Sequence, residues 1–237
     1  ARFEAPLWER ITQKAAPILE SRREDGLNPF KRFFVRFKNK RVSKSAVVIG
    51  AGKMGRGLIG HLLYNSGYEI VFVDKEKKKT EAIRRKGGYN LNIYDSEGGV
   101  KTEKIDSKLK ILVREQENEI IEAMKHTDMI FLALPDRELQ DASLLIARGM
   151  EGRIREGITE RPLNVIVVSN RFSTKDNIRD NVLKNIAPLL RTKARRLLHI
   201  LDTVTFNIIP NVPEDLLIED PTLIQAKGDL RLMVDAT

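Results

Sequence analysis

The six residues that decide the fold are Gly50-Ala51-Gly52-Lys53-Met54-Gly55, which form a Gly-x-Gly-x-x-Gly pattern. The apolar run 46–49 comes directly before them and has the length and composition of a buried strand. The following segment, 53–65, carries apolar side chains at helical spacing. Because the pattern stands between a predicted strand and a predicted helix, it predicts a site for the phosphates of a dinucleotide.

Each glycine of this turn has its own predicted task. Gly50 permits a tight turn, Gly52 lets the backbone approach a pyrophosphate, and Gly55 allows the helix to pack closely on the strand. The first helical turn then offers free N–H groups and the positive end of the helix dipole to an anion. The residues predicted to bind the cofactor here are Gly50, Gly52, Lys53, Met54 and Gly55. The alternative is a glycine-rich turn that serves packing alone.

Asp74 closes the next apolar run, 70–73, and is the predicted ribose-binding residue of the same cofactor site. A carboxylate at the end of the second strand is expected to accept hydrogen bonds from the adenosine ribose hydroxyls. It would repel a 2′-phosphate and therefore favours NAD over NADP, although the lysines at 75 and 77–79 can weaken that repulsion. Capping of the following helix is the alternative role for Asp74, and the two roles are compatible.

The chain from residue 45 onward alternates short apolar strands with amphipathic helices, which predicts a doubly wound, mostly parallel Rossmann-type sheet of the α/β class. We assign residues 45–237 to one NAD-binding domain. Segments 89–94 and 108–114 alternate in period two around a glycine pair, and this pattern predicts a small antiparallel hairpin insertion. A single helix is expected over 174–190.

Residues 1–44 differ from the rest of the chain in charge. They contain twelve Lys and Arg against five Asp and Glu, so they hold +7 of the total net charge of +9 and leave +2 for the remainder. This distribution argues against a broad basic face on the folded domain and against a specific nucleic-acid partner. We interpret residues 1–44 as a basic amphipathic helical arm that packs on its own domain, self-associates or contacts a partner. Contact with anionic lipid or RNA is the alternative.

The composition excludes several classes of protein. The chain has no cysteine, so it has neither disulfides nor thiolate metal sites, and its three histidines are too scattered to suggest a metal site. Its apolar runs are far shorter than the roughly 20 residues that span a bilayer. We therefore expect a cytoplasmic protein with no membrane span and no bound metal.

A second candidate group follows the apolar strand 164–168. Ligands of open α/β sheets bind beyond the carboxyl ends of the strands, which is where Ser169 and Asn170 stand. The Asn170 amide can hydrogen-bond a substrate oxygen or the nicotinamide ribose. The alternative is a role in the loop or as a helix cap.

Residues 50–60 resemble the opening of the mannitol-1-phosphate 5-dehydrogenases and related long-chain polyol dehydrogenases, with Arg56-Gly57 and Gly60 extending the match beyond the glycine pattern. Further similarity lies at 161–166, which runs into Asn170. The resemblance implies reversible hydride transfer between NAD and a sugar alcohol or its phosphate, so that a polyol or polyol phosphate is the small-molecule partner. It also implies that Asn170 helps to bind the reacting oxygen, which makes it the candidate catalytic residue.

The chain departs from this family at positions that matter for the chemistry. Phe206-Asn207 stands where the family usually has an Asp-Arg pair, and Ser169 stands where an acidic residue often precedes the asparagine. The family's Lys-x-x-x-x-Asn-x-x-His motif, whose lysine is the general base, does not occur in the 237 residues. We expect that motif in a C-terminal helical domain beyond this sequence. Two alternatives stay open, a stand-alone NAD-binding module and a small oxidoreductase whose acid–base group lies after Pro210.

Overall fold

The computed structural model describes residues 44–95, 97–106, 108–168, 174–204, 209–227 and 233–234. The strands in these ranges are β1 (Ser45–Ile49), β2 (Glu69–Asp74), β3 (Tyr89–Tyr94), β4 (Val100–Ile105), β5 (Leu109–Val113), β6 (Met129–Leu132), β7 (Leu163–Val168), β8 (Leu198–Val204), β9 (Ile224–Lys227) and β10 (Met233–Val234). The helices are α1, which joins a π-helical segment (Gly55–Gly60) to an α-helical one (His61–Asn65), then α2 (Lys77–Lys86), α3 (Glu117–His126), α4 (Leu139–Arg155), α5 (Thr174–Lys184), α6 (Pro188–Leu197) and α7 (Glu214–Glu219). A short 3-10 helix (Asp136–Glu138) precedes α4.

The main sheet has the strand order β10-β8-β7-β6-β1-β2-β5. All neighbouring pairs in it are parallel except β10 with β8. The chain builds outward from β1 through β2 to β5 on one side, then returns to β6 and continues to β8 on the other. The order therefore reverses at β1, which places a crevice between the carboxyl ends of β1 and β6. The predicted doubly wound, mostly parallel sheet is confirmed.

Helices cover both faces of this sheet, which explains why its central strands are apolar along their whole length. All six residues of β7 and all four of β6 are buried. Alternate strand residues, among them Val47, Ile49 and Val165, join one hydrophobic core with side chains of α3 to α6. Phe72 lies on the opposite face, where a β-carbon at Gly60 of α1 would come within 2.8 Å of its ring. Burial of each large apolar side chain contributes ~1.5–3 kcal/mol.

The antiparallel hairpin insertion is present, but its second strand is not the one predicted. β3 pairs with β4 rather than with β5, and Asp95 holds the connecting turn because its Oδ1 accepts hydrogen bonds from the N–H groups of Glu97 and Gly99. β5 instead runs parallel to β2 at the edge of the main sheet. Period-two alternation predicted 108–114 as the partner, whereas β4 has apolar side chains only at Val100 and Ile105. Burial explains the difference, since Ile111 and Leu112 are buried whereas β4 is mostly exposed.

β9 adds a third strand to the hairpin and was not predicted from the sequence. It runs parallel to β3, with Ile224 opposite Leu91, and completes a small sheet of order β4-β3-β9. This sheet lies against α1, because a β-carbon at Gly57 would come within 3.0 Å of the Ile224 side chain. The insertion is thereby attached to the helix that follows the glycine-rich turn.

The single helix expected over 174–190 is wrong, because α5 ends at Lys184 and α6 begins at Pro188. Pro188 has no N–H to donate, and it disfavours the helical conformation of the residue before it. Ala187 accordingly has φ −52° and ψ 134°, outside the helical region.

Two predictions fall on residues that the structure does not describe. These are the arm, apart from its last residue Lys44, and Asn170 with the neighbouring Ser169. Among the helices of the described ranges, none is long and apolar enough to cross a membrane.

Candidate cofactor site

Two glycines of the turn are required by the packing of the protein itself. Gly50 has φ +102°, and its N–H donates to the Val73 carbonyl at 2.8 Å. A β-carbon on Gly50 would lie 2.3 Å from the Ala133 carbonyl oxygen, and one on Gly55 would lie 1.8 Å from the Gly50 carbonyl oxygen. Since backbone atoms form both contacts, neither position can hold a side chain without displacing the turn.

Gly52 differs from these two, because its surroundings in the described residues are open. A β-carbon placed on it would have no atom within 4 Å. Packing within the described residues therefore does not require a glycine at this position. A ligand that approaches the backbone at the start of α1 would require one, and a pyrophosphate does so in sites of this geometry.

The Asp74 carboxylate joins the end of β2 to the glycine-rich turn. Its Oδ2 accepts a hydrogen bond from the Ala51 N–H at 2.8 Å, and its Oδ1 accepts one from the Glu76 N–H at 2.9 Å. The second bond is an Asx turn leading into α2, whose N-cap is Glu76. Only 9 % of the Asp74 side chain is exposed. Asp74 thus fixes the turn and the start of the next helix together.

Three lysines near Asp74 are paired with carboxylates. Lys75 Nζ lies 2.7 Å from Glu138 Oε1, in the 3-10 helix after β6. Lys77 pairs with Glu115 at 3.3 Å. Lys79 lies 2.8 Å from Glu76 and 3.3 Å from Asp74 Oδ2. The first pair joins the loops after β2 and β6, which flank the end of β1, and so it spans the crevice.

The two other predicted cofactor residues stand at the start of α1. Lys53 is exposed, and its Nζ donates to Asn211 Oδ1 at 2.7 Å. Met54 is half-buried beside it. The segment around Asn211 therefore borders the glycine-rich turn. The sequence carries no signal for this contact, because 158 residues separate Lys53 from Asn211.

Arg56 is buried, with 5 % exposure, and ties the turn to the small sheet. Its Nε donates to the Ala51 carbonyl at 2.8 Å and its Nη1 to the Thr222 carbonyl at 2.6 Å. The guanidinium carbon lies 5.5 Å from the centre of the Tyr89 ring, and Tyr89 Oη donates back to the Arg56 carbonyl. Burial lowers the pKa of Arg56 and raises that of Tyr89. These contacts explain why an arginine follows the glycine pattern.

Gly57 and Gly60 provide the surface on which the small sheet lies. A β-carbon at Gly57 would lie 3.0 Å from Ile224, and one at Gly60 would lie 2.4 Å from the Tyr89 hydroxyl oxygen. The extension of the match to Arg56-Gly57 and Gly60 therefore has a structural cause, which is close packing of α1 on β3 and β9.

We expect the Arg56→Met variant to lose about 2 to 3 kcal/mol of unfolding free energy. The change leaves the Ala51 and Thr222 carbonyls buried without their donor, while the methionine keeps much of the side-chain volume. Urea denaturation measures the loss. Arg84→Met is the matched control, because Arg84 is exposed and its removal should cost less than about 1 kcal/mol. Equal losses in the two variants would contradict the structural role of Arg56.

His61 and Glu103 form a second link between α1 and the hairpin. His61 Nε2 lies 3.1 Å from Glu103 Oε2, and only 10 % of the His61 side chain is exposed. The His61 Nδ1 atom is buried and has no partner among the described residues. A neutral ring that donates from Nε2 leaves a lone pair on Nδ1, whereas protonation would bury an unpaired N–H there. Burial accordingly lowers the pKa of His61, against the opposing attraction of Glu103.

The stability of the domain should fall as the pH drops through 6.5, the ordinary pKa of histidine. Below that pH the unfolded chain takes up a proton at His61 that the folded chain resists, so acidification favours unfolding. In His61→Gln the dependence between pH 7.5 and 5.5 should flatten, as followed by urea denaturation at each pH. His199→Gln, a change at an exposed histidine of β8, is the control. A His61→Gln variant that keeps the full pH dependence would contradict this assignment.

The structure brings the predicted residues 50, 52, 53, 54, 55 and 74 to one end of the sheet, at the point where the strand order reverses. Glu76 and Glu138 belong to the same region and were missed, and so were the ion pairs that they form with Lys79 and Lys75. The spacing of Glu76 and Lys79 by three positions was a readable signal for an ion pair. The partnership of Lys75 with Glu138 had no local signal.

The turn at the switch point, with open space at Gly52 and a carboxylate at the end of β2, defines a Rossmann-type domain. The chain belongs to the mannitol dehydrogenase family, whose Rossmann-domain model matches residues 44–236.

The chain is similar in sequence to mannitol-1-phosphate 5-dehydrogenases. The mannitol-1-phosphate 5-dehydrogenase of Anoxybacillus flavithermus is 29 % identical over 179 residues, which cover 76 % of this chain and 45 % of the relative. The enzyme of the same name from Emericella nidulans is 31 % identical over 143 residues, or 60 % of this chain and 36 % of the relative. The chain thus spans less than half the length of these relatives.

Solved structures share the fold. The mannitol 2-dehydrogenase of Pseudomonas fluorescens, solved as a ternary complex with NAD and D-mannitol, matches 83 % of this chain and 50 % of its own with a TM-score of 0.68 and 12 % identity. A D-sorbitol dehydrogenase matches 83 % of this chain and 51 % of its own with a TM-score of 0.67 and 13 % identity.

Proposed function

We propose that residues 45–237 bind NAD at the glycine-rich turn and Asp74, and that they serve hydride transfer between NAD and a sugar alcohol or its phosphate. The observation that carries the proposal is the open space at Gly52, at the start of a helix and beside a buried carboxylate. Family membership supports it, and so does the fold neighbour solved with NAD and D-mannitol.

Under this proposal the pyrophosphate lies against Gly52 and the first N–H groups of α1, where the helix dipole favours an anion. Lys53 adds a positive charge at the same end, and Met54 lines it. Gly50 and Gly55 shape the turn rather than leave room for the ligand, because backbone atoms of the protein fill the space that a β-carbon would need at each of them.

The Asp74 carboxylate retains acceptor capacity for the adenosine ribose. Each carboxylate oxygen has two lone pairs, and the N–H groups of Ala51 and Glu76 use one on each. The Lys79 ammonium is 3.3 to 3.4 Å from these oxygens, longer than a typical charge-assisted hydrogen bond. Ribose hydroxyls can therefore donate to Asp74 without breaking its bond to the turn.

Asn170 is proposed to hold the reacting oxygen of the polyol. NAD, when bound, supplies the acceptor for the hydride. The alcohol proton also needs a base, and in the family that base is the lysine of the motif that these 237 residues do not contain. Under this proposal the domain binds the cofactor and forms part of the substrate site.

The proposal is tested by titrating the chain with NADH, followed by cofactor fluorescence, and then assaying NAD reduction with mannitol 1-phosphate and with mannitol. NADH binding without turnover is expected if these residues are the NAD-binding domain of a polyol dehydrogenase, because the lysine motif is not among the 237 residues, and it is equally expected of the second candidate, a stand-alone NAD(H)-binding module that regulates or contacts a partner. An open reading frame that continues beyond Thr237 into a region with the Lys, Asn and His motif would favour the dehydrogenase domain over the module, whereas turnover by this chain alone would establish a small complete oxidoreductase. Failure to bind NADH contradicts all three.

A cytoplasmic location, and self-association or partner contact through residues 1–44, also stay proposals. Fluorescence localisation tests the first. Comparison of the oligomeric state of the full chain with that of a variant beginning at residue 44 tests the second, and identical states would contradict a role in self-association.

A further inference from the structure

Four lysines follow Asp74 within five residues, at positions 75, 77, 78 and 79. An ammonium group beside the adenosine ribose would attract the 2′-phosphate that distinguishes NADP from NAD. The sequence favours NAD through Asp74, but it does not show how far these lysines weaken that preference. In the structure, what decides the choice is how many of these charges a phosphate can reach.

Lys79 has the closest relation to Asp74. Its Nζ lies 3.3 Å from Asp74 Oδ2 and 2.8 Å from Glu76 Oε2, so one ammonium stands between two carboxylates. The Lys79 side chain is 20 % exposed and that of Asp74 9 %, whereas that of Glu76 is 59 % exposed. The three groups together carry a net charge of −1. The contact of Lys79 with Glu76 is shorter than its contact with Asp74, so Glu76 is the main ion-pair partner of the ammonium.

Resting on the NAD site proposed above, we propose that Glu76 is a specificity-determining residue, which selects NAD against NADP by occupying the Lys79 ammonium. A 2′-phosphate carries a charge of about −1.5 to −2 at neutral pH. It would meet two carboxylates and a lysine whose charge is already compensated. The ribose hydroxyls of NAD are neutral donors, and the same carboxylates accept from them. Without Glu76, Asp74 and Lys79 would form a neutral pair whose ammonium is free to turn toward the phosphate.

The Glu76→Gln variant tests the proposal. The dissociation constants of NADPH and NADH are measured by fluorescence titration. The readout is the dissociation constant of NADPH divided by that of NADH. We expect the ratio to fall ~10-fold in Glu76→Gln, in favour of NADPH, because one negative charge is removed and one positive charge is released. Adding Lys79→Met to Glu76→Gln should restore the ratio, since the released ammonium is then absent.

Glu115→Gln is the matched control. It makes the same chemical change in the Lys77–Glu115 pair, which joins the start of α2 to the loop after β5 and whose side chains are 63 % and 59 % exposed. The ratio should stay within about two-fold of the parent protein in this variant, because an exposed pair is strongly screened.

An unchanged ratio in Glu76→Gln would overturn the proposal, and so would a shift of equal size in Glu115→Gln. A shift that survives in Glu76→Gln/Lys79→Met would overturn the role of Lys79 as the released cation. If the parent protein binds neither NADH nor NADPH, the proposed function fails instead, so the two failures are distinguishable.

Discussion

The Gly52→Val variant should lose NADH binding, with the dissociation constant raised at least ~100-fold, while it keeps its fold. The first new carbon enters open space, so no contact among the described residues is displaced. The two further methyl groups would stand where the pyrophosphate must approach the first N–H groups of α1. NADH fluorescence titration measures the loss.

Thermal unfolding provides the check that the loss is local. The melting temperature of Gly52→Val should stay within about 2 °C of the parent protein, since no packed atom moves. Gly52→Ala adds a single carbon and should show an intermediate loss of affinity. An unchanged NADH titration in Gly52→Val would remove the main support for the cofactor site.

The Gly55→Ala variant should show the opposite behaviour, a loss of ~3–4 kcal/mol in unfolding free energy. Its β-carbon would lie 1.8 Å from the Gly50 carbonyl oxygen, a backbone atom of the turn itself. Relief requires α1 to move away from the turn, and that movement disturbs the Arg56 and Tyr89 contacts. Urea denaturation measures the loss, and poor yield of folded protein would have the same cause.

Gly152→Ala is the matched control, because it makes the same substitution within helix α4. The three atoms nearest to its β-carbon would all belong to the Lys125 side chain, with Cδ at 2.6 Å, and a flexible side chain can move aside. Alanine also favours the helix by roughly 1 kcal/mol over glycine. A similar loss in Gly152→Ala and Gly55→Ala would contradict the argument from backbone contact.

The sequence was most informative where the deciding contacts are local. The strand 46–49, the turn and the helix after it follow each other directly, and so their periodicity predicts them and the position of Asp74. Within the turn, the predicted tight turn at Gly50 and close packing at Gly55 agree with the backbone contacts there, and the pyrophosphate role of Gly52 stays a prediction. The structure then separated Gly50 and Gly55, which packing requires, from Gly52.

The sequence was least informative where partners are far apart along the chain. Period-two alternation is clear in 108–114 and absent in β4, so it indicated β5 rather than β4 as the partner of β3, which is wrong. β9 has four residues and acquires its strand partner only in the folded domain. The match at Arg56 was visible as a resemblance, but its reason is a carbonyl at Thr222.

The separation between Arg56 and Thr222 has a consequence for how the domain is made on the ribosome. A nascent chain that has emerged as far as β5 already contains β1, β2 and the whole glycine-rich turn. The Thr222 carbonyl, which accepts a hydrogen bond from Arg56, lies 166 residues after Arg56 in the chain, and β9 comes after Thr222. Contacts so distant along the chain form late in folding. The turn therefore gains its final support only after β9 has been synthesised, so the newly made domain should become competent to hold its cofactor at about the moment β9 docks on α1.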